Sequence, residues 1–240
     1  MFRHRGKNRT FQHNLKLASS LSFVAGIVNV SGLFAVQRLT TNVTGYFAFF
    51  ADEMAKKKFT QGLVYLLYIL AFFSGAFCSN LLVEMVARIN ERFINTVSFG
   101  IEILILISIA LLQPETILSH ANAVACLLLF AMGLQNALVT FISSAVVRTT
   151  HLTGLFTDLG IELSQLLFYR KTEQRKKLVT SIRLRVSIIL FFFLGGVSGG
   201  YGYILFGIKI LLLAAGVLLA ALIYDSLRLQ LVTMRRKYLR

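Results

Sequence analysis

The chain is written as long apolar runs separated by short polar ones. Six runs stand out, at about 17–37, 59–86, 97–112, 122–147, 186–205 and 206–224. Each is close to the ~20 apolar residues that a helix needs to cross a hydrocarbon core. The pattern predicts an all-α, polytopic membrane protein of six transmembrane helices. One polar stretch has a period of its own. Asp158, Glu162 and Gln165 fall at i, i+4 and i+7, with Leu155, Leu159, Leu163, Leu166 and Leu167 opposite them. That spacing predicts an amphipathic helix over 154–168, either lying in the membrane interface or turning its acidic face to a cavity.

The polar and glycine positions repeat. At an offset of 107, Phe23, Gly26 and Asn29 meet Phe130, Gly133 and Asn136. At 109, "TTNVTGYF" (40–47) meets "TTHLTGLF" (149–156). At 120, Phe72, Phe73 and Gly75 meet Phe192, Phe193 and Gly195; at 107 again, "FGIEILIL" (99–106) meets "FGIKILLL" (206–213). The blocks are collinear, and their offsets change only between blocks, where loops absorb insertions. A three-plus-three duplication follows. An odd number of spans per copy inverts the second copy, a transporter plan that places a binding site at the repeat interface. The expected segments are a basic cytoplasmic tail (1–16), a first repeat (17–112), an exterior turn (113–121), a second repeat (122–224) with a basic cytoplasmic insertion at 170–177, and a basic tail (225–240).

Composition agrees with this picture. Hydrophobic residues make up 56% of the 240 and mean hydropathy is +0.73, above the ~45–50% apolar content of soluble domains. The net charge of +15 would suggest nucleic acid in a soluble protein. Here Arg3, Arg5, Lys7, Arg9 and Lys16 precede the first run, and Arg228, Arg235, Arg236, Lys237 and Arg240 follow the last. Flanking cations of this kind are orientation signals and place both termini in the cytoplasm. Arg38 and Lys56–Lys58, in the 38–58 segment assigned outside, run against the rule. Cys78 and Cys126 lack metal or redox spacing, so no disulfide, metal or cofactor is expected.

Candidate chemistry concentrates at helix breaks after the first and fourth spans. Thr41, Asn42, Thr44 and Gly45 follow one; Thr150, His151, Thr153 and Gly154 follow the other. Non-helical backbone at membrane depth must be buried in protein or line a water-filled cavity, and a helix restarting there aims its amide end at the gap. A capped turn at the membrane surface is the alternative. Asn29 and Asn136, inside spans, are either ligand or gate groups or interhelical hydrogen-bond formers. Glu102 and Lys209 share a repeat position but fall in opposite leaflets. Glu102 is read as a proton or cation group in a cytoplasmic vestibule, and Lys209 as snorkelling outward. Asp158 joins the set as a possible cavity-lining acid. No catalytic signature is present, so an enzyme is not expected.

The G-x-x-N of the first span, the T-x-x-T-G after it, and "TGLFTDLG" (153–160) resemble the YoaK family of uncharacterised bacterial inner-membrane proteins. The resemblance runs from about 17 to 225 and implies fold and location, but no substrate. Where the family has Asn after the first T-G, this chain has Tyr46, so a ligand role for that Asn does not carry over. The function expected is a small-solute transporter or channel-like permease of the inner membrane. The alternative is a scaffold that docks lipid or a cytosolic partner through its basic loop. Expected partners are the bilayer, anionic headgroups at the basic loop and tails, and an unknown small solute. A homo-oligomer is left open, and nucleic acid is not expected.

Overall fold

The computed structural model describes residues 10–89, 94–169 and 172–238, with side chains as far as Asp225 other than those of Ile89, Ile94 and Thr172. Arg3, Arg5, Lys7, Arg9, Arg92, Arg170 and Lys171 lie outside the described residues, as do the side chains of Arg228, Arg235, Arg236, Lys237 and Arg240. Among the described residues there is no strand. The helices are α1 (Phe11–Val36), α2 (Val43–Ala55), α3 (Phe59–Ile89), α4 (Ile94–Ala110), α5 (Pro114–Ser119), α6 (Ala121–Ser143), α7 (Leu152–Phe168), α8 (Thr172–Phe206) and α9 (Leu211–Tyr238). A 3-10 turn, Gly207–Ile210, joins the last two.

Among the described residues, four helical stretches are long and apolar enough to cross a membrane: Phe11–Val36, Phe59–Arg88, Ala121–Ser143 and the 53-residue stretch Glu173–Asp225. The last is not one rod. Gly207 has φ +60°, and a Cβ on Gly202 would collide with the side chain of Ile210. A straight helix would put residues eight apart at roughly 12 Å, so the chain folds back at Gly207. The reversal expected near 201–205 therefore sits further on. Residues 201–205 stay helical, and the left-handed residue that ends α8 is Gly207, where that conformation costs little. The basic stretch 170–177, expected as a loop insertion, is helical from Thr172 and opens α8. The 113–121 turn holds the short α5, started by Pro114 at its first turn.

Side-chain contacts fix the helix directions. Gln135 of α6 donates to the carbonyl of Leu21 on α1 at 3.1 Å, while Gly32 of α1 lies beside Leu128 of α6. One index rises as the other falls, so α1 and α6 are antiparallel. They form the centre: their apolar windows are 61% buried, against 28% for α3.

Each central helix crosses a partner closely through glycine. A Cβ on Gly26 would strike the carbonyl oxygen of Phe192 in α8, and one on Gly195 would strike that of Phe23 in α1. The same reciprocity joins α3 and α6, with Gly75 against the Phe130 carbonyl and Gly133 against the Phe72 carbonyl. These are the Phe and Gly positions that repeat in the sequence. Membrane helices gain little from hydrophobic attraction to one another, so small residues that let backbones meet carry much of the association.

α2 packs on α3 and α7 on α8. Tyr46 of α2 is buried; it donates to the Leu39 carbonyl at 2.6 Å and lies 5.1 Å from the Tyr68 ring. Arg38 lies over Tyr65 and Tyr68 and donates to the Tyr68 hydroxyl at 3.4 Å. The cation that ran against the charge pattern is thus held by aromatic faces. Lys56 is paired with Asp52 at 2.6 Å, which raises the ammonium pKa above its usual value.

Candidate functional site

α1 and α6 end alike. Gln37 (φ 54°) and Ser144 (φ 52°) both take the left-handed conformation, 107 residues apart, and turn the chain back. The returning segments are then caught by the asparagines. Asn29 Oδ1 accepts from the Thr41 amide at 3.2 Å and from its hydroxyl at 2.9 Å. Asn136 Nδ2 donates to Thr150 Oγ1 at 2.6 Å, and Asn136 Oδ1 accepts from the Thr149 hydroxyl at 3.2 Å. Each asparagine is seven residues before the end of its helix, so each segment returns by about 10 Å along it. Asn29 and Asn136 therefore tether the loops of their own helices. Because α1 and α6 are antiparallel, the two loops return from opposite ends of the protein.

They meet in the middle. A single cavity of about 320 Å³ is lined by Thr41, Asn42 and Thr44 from one loop and by Thr150, His151 and Thr153 from the other. Asn136, Thr140 and Arg148 complete its polar lining, with Phe72, Val43 and Leu152 apolar. The helices restart at Val43 and Leu152, two residues before the expected glycines. Asn42 caps α2 by accepting from the Gly45 amide at 3.0 Å. His151 occupies the equivalent position in α7 without a capping hydrogen bond. Gly45 and Gly154 are not there for an unusual backbone, since neither has positive φ. A Cβ on Gly45 would collide with the Asn42 side chain and one on Gly154 with the His151 ring. The glycines make room for the side chains that cap or cover each first turn.

A second cavity, about 490 Å³, shares Arg148 and His151 with the first and extends past Gly154, Leu155 and Asp158 to Ser181 and Arg185. The acidic face of α7 turns onto α8. Arg185 donates to Asp158 at 2.7 Å and to Glu162 at 2.9 and 3.2 Å, and Ser181 donates to Glu162 at 2.6 Å. Asp158 thus lines a cavity with its charge already paired, rather than lying free in the membrane interface.

Glu102 is not in a vestibule. It is fully buried in α4, among the lining of neither cavity, and both carboxyl oxygens lack a hydrogen-bond partner among the described residues. The expected link between Glu102 and the threonine segments is therefore not made. Lys209 is exposed, as snorkelling requires. The residue that sequence reasoning passed over is Arg148. Its signal was visible: between Arg92 and Asp158 the only other Asp, Glu, Lys or Arg residues are Glu102 and Glu115, and Arg148 directly precedes the repeated phrase. No group of three or more His, Cys, Asp or Glu residues placed to hold a metal occurs among the described residues.

Among known proteins, the chain is 25% identical over 182 residues to the UPF0700 transmembrane protein YoaK of Bacillus subtilis (strain 168), covering 75% of this chain and 80% of the relative. No solved structure matches it. Residues 17–224 match the family model described as Protein of unknown function (DUF1275), and the chain, a transmembrane protein, belongs to that family.

Proposed function

We propose that this protein is a small-solute transporter or channel-like permease built as a three-plus-three inverted repeat, with its substrate site in the 320 Å³ cavity. The observation that carries the reading is the convergence of two polar loops, returning from opposite ends of the molecule, on one cavity. Lipid-exposed loops do not survive within hydrocarbon, so such loops at depth mean a protein-lined polar space. The repeat reading is supported by the antiparallel central helices, the reciprocal glycine crossings and the matched left-handed caps. In this reading α1, α3, α4, α6, α8 and α9 are the spans, both termini are cytoplasmic, and the membrane is the bacterial inner membrane. α2 and α7 complete the two re-entrant segments, and binding at the interface of the halves follows the general transporter plan.

Single cysteines at 42 and 151, in a chain with Cys78 and Cys126 replaced by Ala, test the reading. Both should react with small membrane-impermeant thiol reagents in intact membranes. Protection of both from either side sinks the cavity as a solute path. A second reading, a scaffold that docks anionic lipid or an acidic partner, is favoured by Arg175 and Lys176, exposed on the first turns of α8. Neutralising them should leave solute flux intact if transport is the function.

A further inference from the structure

We infer that the cavity between the two loops holds a small monovalent anion, with Arg148 as its charge partner. This inference rests on the transporter reading of that site and names its substrate class.

The argument starts from charge. Arg148 is the sole Asp, Glu, Lys or Arg side chain lining the cavity, and it makes no hydrogen bond or ion pair among the described residues. The acid of the adjoining cavity, Asp158, is bound to Arg185 at 2.7 Å, and Glu162 is bound to the same guanidinium at 2.9 Å. Both carboxylates on this face of α7 are therefore taken. Arg148 is exposed, and in a cavity without a carboxylate its guanidinium is one positive charge with no counter-charge from the protein, open to a ligand.

Several of the remaining polar groups can donate. Asn42 uses its oxygen on Gly45, which leaves its amide nitrogen for the cavity. Thr44 and Thr153 bring hydroxyls. α7 begins at the cavity without a side-chain cap, so its first-turn amides have no side-chain acceptor.

The asymmetry of the halves sets the valence. At the repeat offset of 109, Arg148 corresponds to Leu39. The neighbouring Arg38 is turned to Tyr65 and Tyr68. Only the second half gives the cavity a cation, so a single negative charge balances it. The planar fork of arginine suits a small oxyanion such as formate or nitrate.

The test uses the full-length protein purified in detergent, melted with a thiol-reactive dye while sodium formate or sodium nitrate is titrated at constant ionic strength against sodium HEPES. Each anion should raise the melting temperature saturably. In R148Q the midpoint should move up by about tenfold or more, the order expected for losing a charge-assisted hydrogen bond. R148K, which keeps the charge without the fork, should fall between. Melting of both variants in HEPES alone reports whether they fold. No stabilisation by either anion, or equal stabilisation of wild type and R148Q, overturns the assignment. Uptake of radiolabelled formate into proteoliposomes separates the two readings. Arg148-dependent binding without uptake upholds the anion site and removes transport. Uptake of a neutral solute such as glycerol, without Arg148-dependent anion binding, upholds transport and removes the anion.

Discussion

Replacing Gly75 by alanine adds one methyl group where α3 crosses α6. That methyl would overlap the carbonyl oxygen of Phe130 and lie 2.9 Å from its carbonyl carbon and 3.0 Å from its Cα. All three atoms are backbone, so no rotamer change relieves the contact and the two helices must separate. Overpacking in a well-packed core costs about 1–3 kcal/mol, and rigid backbone puts this case near the top of that range. Alanine regains about 1 kcal/mol of helix propensity over glycine. The net loss is about 2 kcal/mol, a fall in melting temperature of about 4–8 °C for a domain of this size. The chain has no tryptophan, but Cys78 and Cys126 are free, partly buried and on the two helices concerned. A thiol-reactive dye therefore reports opening of this crossing directly. Gly100, in the middle of α4, has nothing within 4 Å of its Cβ position. G100A should stabilise by up to about 1 kcal/mol through propensity alone. If G75A melts at or above wild type, the two backbones do not meet as described and the glycine-crossing argument fails.

The other consequences are smaller and local. N136A removes the 2.6 and 3.2 Å bonds that tether Thr150 and Thr149. It should cost about 1–2 kcal/mol and speed thiol labelling at position 151; unchanged labelling would mean that the loop is held elsewhere. R185Q strands Glu162, whose side chain is 14% exposed. Partial screening brings the loss to about 1–3 kcal/mol, below that for a fully buried pair. E162Q in the R185Q background should recover part of it, and a strictly additive double mutant would deny the pair. Y68F deletes the hydroxyl that joins Arg38 to Asn122. It should cost about 1 kcal/mol, and a neutral result would show that the ring faces alone hold Arg38.

How much of this was legible in the sequence depended on what kind of constraint each residue obeys. Phe23, Gly26, Phe72, Gly75 and their repeat partners were legible because close backbone approach admits only glycine. Such a constraint survives as a fixed letter at a fixed offset. Asn29 and Asn136 were legible as a pair but not in role. Choosing between ligand and tether requires knowing that the chain turns back after Gln37 and Ser144, and a left-handed Gln or Ser leaves no mark in composition. The reversal at Gly207 was misplaced because the apolar run shows no polar break there, and one positive φ does the work. Glu102 stood out as a lone acid in an apolar run, yet its burial away from both cavities depends on which face of α4 turns inward, and the repeat does not specify that.

Arg148 was overlooked for a different reason. Identities between the copies carry no trace of a position where they differ in charge, such as Leu39 against Arg148. The matched letters build the scaffold: two crossings, two returning loops, and two helix starts at one cavity. If both halves also carried the same charged side chain there, two like charges would share one cavity of about 320 Å³. Without a ligand that repulsion would be uncompensated. One cation, met from the other half by an amide side chain at Asn42 and a hydroxyl at Thr44, avoids that cost and gives the site a polarity. In the proposed repeat, the chemistry of the shared cavity is therefore to be sought at positions where the halves agree in backbone and disagree in side chain: Leu39 with Arg148, and Asn42 with His151.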